Sequence, residues 1–255
     1  MSLLKNLATD DSIANEKDSV GGGSRVVDSG LYPCTVTLAY VIQSAGGATG
    51  LVLGLRTEDK REIKQTVYVT AGKAKGGNNY YLDKEGAKQY LPGFLLANSL
   101  ALLTLGKELS QLDTEEKVVT AYSPEAKAEV PTKVNMIMEL IGKEILAGVI
   151  KQVVDKSKKN DAGEYIATGE TREENEIDKF FRAKDRMTTA EIRGEAATAV
   201  FADTWAAKNN GVTRDKSSKA GSNGTVGAPG KPKVGSFGQA ATPAAAKKPA
   251  SSLFG

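Results

Sequence analysis

The sequence predicts an α+β protein: a β-rich, barrel-like body with one buried helix, then a C-terminal helix and a disordered tail. Apolar and polar residues alternate at period two in segments between Leu31 and Thr70, the spacing of half-buried strands. A continuous apolar run opens at Pro92, ends at Leu105 and is followed by Gly106, the punctuation of a helix. Beyond Gly211, large apolar residues are almost absent until Leu253 and Phe254, so that stretch cannot offset its ordering entropy. The 255 residues divide accordingly into a flexible arm, 1–24, a body, 25–210, and a basic tail, 211–255.

Each element has a local reason. Gly21-Gly22-Gly23-Ser24 is a flexible joint. Leu31 to Gln43 is rich in β-branched and aromatic residues and tolerates Pro33 near its start, which makes it the first strand. After a Gly46-Gly47 turn, the segment Gly50 to Arg56 sets Leu51, Leu53 and Leu55 on one buried face. From Glu62 to Thr70, Ile63, Gln65, Val67 and Val69 point one way, while Lys64, Thr66, Tyr68 and Thr70 point to the exposed side.

Ala71 to Tyr90 has the composition of a loop with at most a short hairpin, and Gly93 to Leu105 is the buried helix. Lys117 to Tyr122 and Ala128 to Met138 are short strands, with Pro131 confining the second to an edge or bulge. Glu144 to Val154 is apolar on both sides, as a central strand is, and a charged turn at Lys156 to Asp161 leads to its partner, Tyr165 to Arg182. Thr188 and Glu191 have capping-box spacing and open a helix to about Lys208, with Val200, Phe201 and Trp205 as its apolar stripe. The order of three strands, helix and two strands is that of the five-stranded oligonucleotide-binding barrel; a distinct β-rich fold is the other reading.

Composition excludes several chemistries. No histidine occurs, which removes the usual general base of serine and cysteine hydrolases and the commonest transition-metal ligand. The one cysteine, Cys34, permits no internal disulfide and no Cys-based zinc site, and it falls on the apolar alternation of the first strand. No phosphate-cradling glycine motif is present. The expectation is a non-catalytic protein with no cofactor and no metal. The apolar run from Pro92 is too short for a bilayer span, and residues 1–23 lack a signal-peptide core, so the expected location is the cytoplasm.

Charge is unevenly placed. The net charge is +3, but after Ala207 eight basic residues face the single acid Asp215, so the stretch from Lys208 onward carries +7 and the rest −4. A basic tail on a mildly acidic body points to a polyanion partner for the tail and to a local patch for any site on the body.

That patch is legible between Lys64 and Tyr90. Lys73, Lys75, Asn79, Tyr80, Tyr81, Lys84, Lys88 and Tyr90 interleave cations, rings and amides around Gly76 and Gly77, and Lys64 and Tyr68 extend the surface from the adjoining strand. Ammonium groups neutralise phosphates and rings stack on unpaired bases, so this mixture suits a single strand of nucleic acid. Tyr80 and Tyr81 as an ordinary packed hairpin strand is the alternative. Lys231, Lys233, Lys247 and Lys248 are the expected tail contacts, and Leu253 and Phe254 form an apolar tip suited to docking on a protein partner. Two further clusters, Lys151, Lys156, Lys158 and Lys159, and Arg182, Lys184, Arg186 and Arg193, are interrupted by acids and read as solvated turns first. Phe201 and Trp205 read as packing.

Ser29-Gly30-Leu31-Tyr32-Pro33, Tyr90-Leu91-Pro92-Gly93-Phe94, Leu105-Gly106-Lys107-Glu108, Val130-Pro131-Thr132-Lys133, Asn160-Asp161-Ala162-Gly163-Glu164-Tyr165, Gly169-Glu170-Thr171, Asn175-Glu176-Ile177-Asp178-Lys179 and the terminal Ser252-Leu253-Phe254-Gly255 give the chain a family likeness. It resembles the single-stranded DNA-binding proteins of short-tailed bacteriophages that carry their own RNA polymerases. The resemblance implies cooperative, sequence-tolerant single-strand binding in phage DNA replication, self-association on DNA, and help in loading the phage RNA polymerase on opened promoters. Replication proteins are the other implied partners, and some members have a β-rich fold unlike the plain oligonucleotide-binding barrel. Many single-strand binders end in an acidic tail that competes with DNA; this tail is basic and is expected to add affinity. A virion structural or scaffolding protein with a mobile basic tail is the alternative class.

Overall fold

A computed structural model of the chain describes residues 26–123, 128–159 and 165–218. The arm 1–24, the tail lysines Lys231, Lys233, Lys247 and Lys248, and the tip Leu253 and Phe254 lie outside the described residues.

Three antiparallel strands come first: β1 (Gly30–Gln43), β2 (Thr49–Thr57) and β3 (Glu62–Tyr68). Their alternation is the expected one, with Leu51, Leu53, Leu55, Ile63 and Val67 buried and Lys64, Thr66 and Tyr68 exposed. A two-stranded hairpin, β4 (Tyr80–Leu82) with β5 (Lys88–Tyr90), precedes α1 (Pro92–Leu105), which Gly106 ends in a left-handed conformation. Then follow the paired strands β6 (Glu115–Ser123) and β7 (Ala128–Met136), and the long strands β8 (Glu144–Lys159) and β9 (Tyr165–Phe181). Two short helices, α2 (Thr189–Arg193) and α3 (Phe201–Asn209), and a last strand, β10 (Thr213–Asp215), complete the order.

β1 organises the sheet because it is long enough to serve several partners. One edge pairs with β2; on the other, Gly30–Thr35 pair with β8, and Tyr40 and Val41 with β7. Antiparallel neighbours thus run β3-β2-β1-β8-β9, and β3 and β9 point the same way at the two ends. They approach without a backbone ladder, bridged where Gln65 Oε1 accepts the Ile177 N–H at 2.6 Å. The result is a mixed α+β body with a curled half-barrel sheet. Along the chain, three strands precede α1, as the alternation predicts, and the expected strands β6, β7, β8 and β9 follow it, β7 pairing with β1 beside β8.

The concave side is filled by Val36, Leu53, Leu55, Ile145, Val149, Ile177 and Phe180, with Leu100 of α1 fully buried among them. The helix touches β3, β8 and β9, and so spans the open seam. Its approach depends on Gly93: a Cβ there would stand 2.2 Å from the Tyr68 carbonyl oxygen. A second cluster, Leu146, Ile150, Phe181, Ala202 and Trp205, docks α3 on the opposite face of β8 and β9. There Gly148 leaves room for the indole, and Trp205 Nε1 donates to Asp178 at 2.7 Å. A third, Tyr40, Val52 and Val134, folds the β6–β7 hairpin over the outer face of β1 and β2.

Three expectations need correction. The single helix from Thr188 to Lys208 is two, because Glu191 serves both: one carboxylate oxygen closes the capping box on Thr188 and the other accepts from the Val200 and Phe201 N–H groups at 2.8 Å each. Gly194 and Glu195, the latter at φ 51°, turn the chain between them. Of the turn expected at Lys156 to Asp161, residues 156–159 are strand, with β8 paired to β9 through Lys159 and Lys156 in an ion pair with Glu170, while Asn160 and Asp161 lie outside the described residues. The body also runs past 210: β10 lies parallel to β8 at Lys151–Val153, and Arg214 and Lys216 both reach Glu176.

Two outcomes follow from this packing. Gly93→Ala is expected to destabilise the protein by about 1–3 kcal/mol, because backbone opposes the new methyl group and only a shift of α1 relieves it; urea unfolding followed by circular dichroism measures the loss. Cys34 is 5% exposed, and burial, reinforced by the charges of Asp59 and Glu58, pushes its thiol up to about 12. Thiol reagents near neutral pH should therefore label only unfolded molecules, with labelling tracking the denaturant transition; prompt labelling of native protein would contradict this burial.

Candidate nucleic-acid interface

The loop from Val69 to Asn79 is fastened to the β1–β2 turn. Thr49 N–H bonds Thr70 Oγ1 at 2.8 Å, the Lys73 N–H donates to the Gly46 carbonyl at 2.9 Å, and the Ala71 N–H to the Asn78 carbonyl at 2.8 Å. Gly47, at φ 76°, has no side chain where the Lys73 stem lies; a Cβ would be 2.6 Å from Lys73 Cγ. Lys73 and Lys75 thus stand exposed on a short 3-10 turn of defined position. Asn79 is half-buried, and its carbonyl accepts from the Leu91 N–H at 2.9 Å, which ties the start of the hairpin to the residue before α1.

The β4–β5 hairpin is shaped by Asp83. One of its carboxylate oxygens accepts the Glu85 and Ala87 N–H groups at 3.0 and 2.9 Å, and the other accepts from Gln89 Nε2 at 3.2 Å. Tyr80 stands opposite Tyr90, Tyr81 opposite Gln89, and Leu82 opposite Lys88. Side chains alternate across a strand, so Tyr80, Leu82, Lys88 and Tyr90 share one face while Tyr81 and Gln89 share the other. The adjacent tyrosines read as one patch in the sequence are therefore on opposite sides.

Each ring has its own support. Tyr90 is 56% exposed and lies 5.1 Å from Phe94, centroid to centroid, at 36°. Tyr68, 49% exposed, sits over Gly50, its cross-strand partner, where a Cβ would be 3.3 Å from the ring. The Tyr68 carbonyl meets Gly93, so the first turn of α1 brings Tyr68 and Tyr90 into one region. Tyr80 is half-buried, with Lys88 Nζ 4.7 Å from its ring centroid. Leu82, on the same face of the hairpin, is exposed, as is Leu95 of α1. Sequence reasoning missed Phe94, Gly50 and Asp83 as supports, although Asp83 followed three residues later by Gly86 is a turn signal.

The cations here gather without a carboxylate partner, as Lys158 and Lys184 also lack one in the other two clusters, whose remaining described members are paired. Among the described residues, Lys64, Lys73, Lys75, Lys84 and Lys88 have no carboxylate partner. In the other two clusters, Lys151 pairs with Asp28 and Glu173, Lys156 with Glu170, Arg182 with Asp185, Arg186 with Asp203, and Arg193 with Glu108. Lys64 stands apart from the hairpin: it lines a cleft of about 530 Å³ between β3 and β9 whose walls include Glu62, Glu173, Glu174 and Glu176. Trp205 is buried against Phe181 and Gly148, as packing residues are.

Among the described residues no group of three His, Cys, Asp or Glu side chains could hold a metal ion, and no helix is long and apolar enough to cross a membrane. The sequence matches no family model and no curated protein.

The Asp83 carboxyl is held below its usual range, first by the Ala87 N–H and then by Gln89. A carboxyl lowered in the folded state orders the hairpin above the ordinary carboxylate range and releases it as pH falls through the lowered value. Amide exchange at Ala87 and Gln89 should accelerate on that acid side, and in Asp83→Ala it should be fast at every pH while β1–β3 stay protected.

Proposed function

We propose that this protein binds single-stranded DNA without sequence preference and without catalysis, serving phage DNA replication or transcription in the host cytoplasm. The observation that supports this most is the coincidence, between Tyr68 and Tyr90, of exposed rings with lysines that no carboxylate neutralises. Cations paired within the protein have little left for a phosphate; free ones exchange condensed counterions for it. Rings backed by Phe94 and Gly50 offer flat faces that every base can stack on, each worth about 1–3 kcal/mol.

In this reading Tyr68 and Tyr90 are the stacking platforms, and Lys73, Lys75, Lys84 and Lys88 meet the phosphate backbone, with Lys64 at the margin. Tyr81 contacts a strand only by way of the far face of the hairpin. Lys231, Lys233, Lys247 and Lys248 add electrostatic attraction, and Leu253 and Phe254 dock on the phage RNA polymerase or a replication protein. Copies associate on DNA.

The test is fluorescence anisotropy of a labelled dT oligonucleotide and of a duplex of equal length over a range of salt. Single-strand affinity should fall with salt at a slope of about −0.7 per phosphate neutralised. Tyr68→Ala with Tyr90→Ala should cost about 2–6 kcal/mol of binding, for two stacked bases, at unchanged circular dichroism. Equally tight duplex binding at the same salt would sink the proposal.

A further inference from the structure

Resting on the single-strand reading, we infer that Lys88 is a displaceable latch on Tyr80, so that stacking a base and neutralising a phosphate occur as one exchange. Lys88 and Tyr80 project from the same face of the β4–β5 hairpin at diagonal positions, Tyr80 facing Tyr90 and Lys88 facing Leu82 across the ladder. The ammonium lies 4.7 Å from the ring centroid, within the range of a cation–π contact. Lys88 is exposed and has no carboxylate partner among the described residues, so the ring is its one defined contact. Tyr90, the other ring on this face, differs: it leans on Phe94 and carries no cation.

A base arriving over Tyr80 needs the position the ammonium occupies. Stacking on an aromatic ring is stronger than an exposed cation–π contact, so the base takes the ring. The displaced ammonium is then on a flexible stem beside the sugar-phosphate chain of the base that replaced it, where it neutralises a phosphate. No new charge has to be brought in, and in the free protein the latch shields an aromatic face that would otherwise be open to water. Lys88 therefore sets which ring is available before binding, and Tyr80 becomes a platform only when a strand supplies both base and phosphate.

Nuclear magnetic resonance on the full chain tests this with the labelled Lys88 side chain. In the free protein its ε-methylene protons should be shifted upfield by the ring current of Tyr80, and Tyr80→Leu should abolish that shift. On saturation with a dT oligonucleotide the signal should move to the position of a solvent-exposed lysine while the Tyr80 ring signals shift. Lys88→Gln should lower single-strand affinity about fivefold in 0.1 M salt relative to 1 M, flattening the salt slope by about 0.7. If the oligonucleotide binds and the Lys88 signal stays in place, or if no upfield shift exists in the free protein, the latch is wrong and the single-strand reading stands. If no oligonucleotide binds, both are wrong.

Discussion

A sheet whose end strands do not join must have its concave face buried by something other than itself, and here α1 does that. β3 and β9 approach in parallel with a side-chain bridge, Gln65 to Ile177, in place of a ladder. The apolar faces of β2, β3, β8 and β9 would be left open along that seam without Leu100 and Ala97 of the helix. The helix settles that deeply because residue 93 has no side chain against the Tyr68 carbonyl. One glycine therefore fixes the distance between the helix and the strand that carries the exposed tyrosine.

The candidate interface inherits its geometry from this constraint. Tyr90 immediately precedes Leu91, the residue that caps α1, and Phe94, behind its ring, is in the first turn. Tyr68 lies at the end of β3, where the same turn docks. Moving the helix moves both rings and, through the Leu91 to Asn79 hydrogen bond, the start of the hairpin. Fold stability and presentation of the rings are thus coupled through a few residues. The lysines project to solvent from the 3-10 turn, from the hairpin tip and from β5, where a polyanion passing over the rings meets them.

Much of the fold was legible because its signals are local. Period-two alternation gave β1 to β3, and Pro92 and Gly106 bracketed α1. The lysine and tyrosine composition of residues 64–90 marked the candidate surface. What escaped was decided by partners distant in sequence or by register. The break between α2 and α3 depends on Glu191 capping two helices at once, and β10 exists because Lys151–Val153 offer it an edge. The sidedness of Tyr80 and Tyr81 depends on hairpin register, which a one-residue slip inverts. Pairing state was equally illegible: Lys156 and Lys88 look alike in sequence, and only the fold sets a glutamate beside the first and a ring beside the second.

The sole tryptophan of the chain, Trp205, is clamped between Gly148 and Phe181, with its indole N–H bound to Asp178. It belongs to the cluster that fastens α3, on the side of β8 and β9 away from the main core, and no exposed tyrosine of the hairpin touches it. Its emission consequently reports whether the α3 clasp is closed. Four of the eight tyrosines, Tyr68, Tyr80, Tyr81 and Tyr90, stand on the other surface, so a base that stacks there perturbs tyrosine absorbance while the indole emission stays with the clasp.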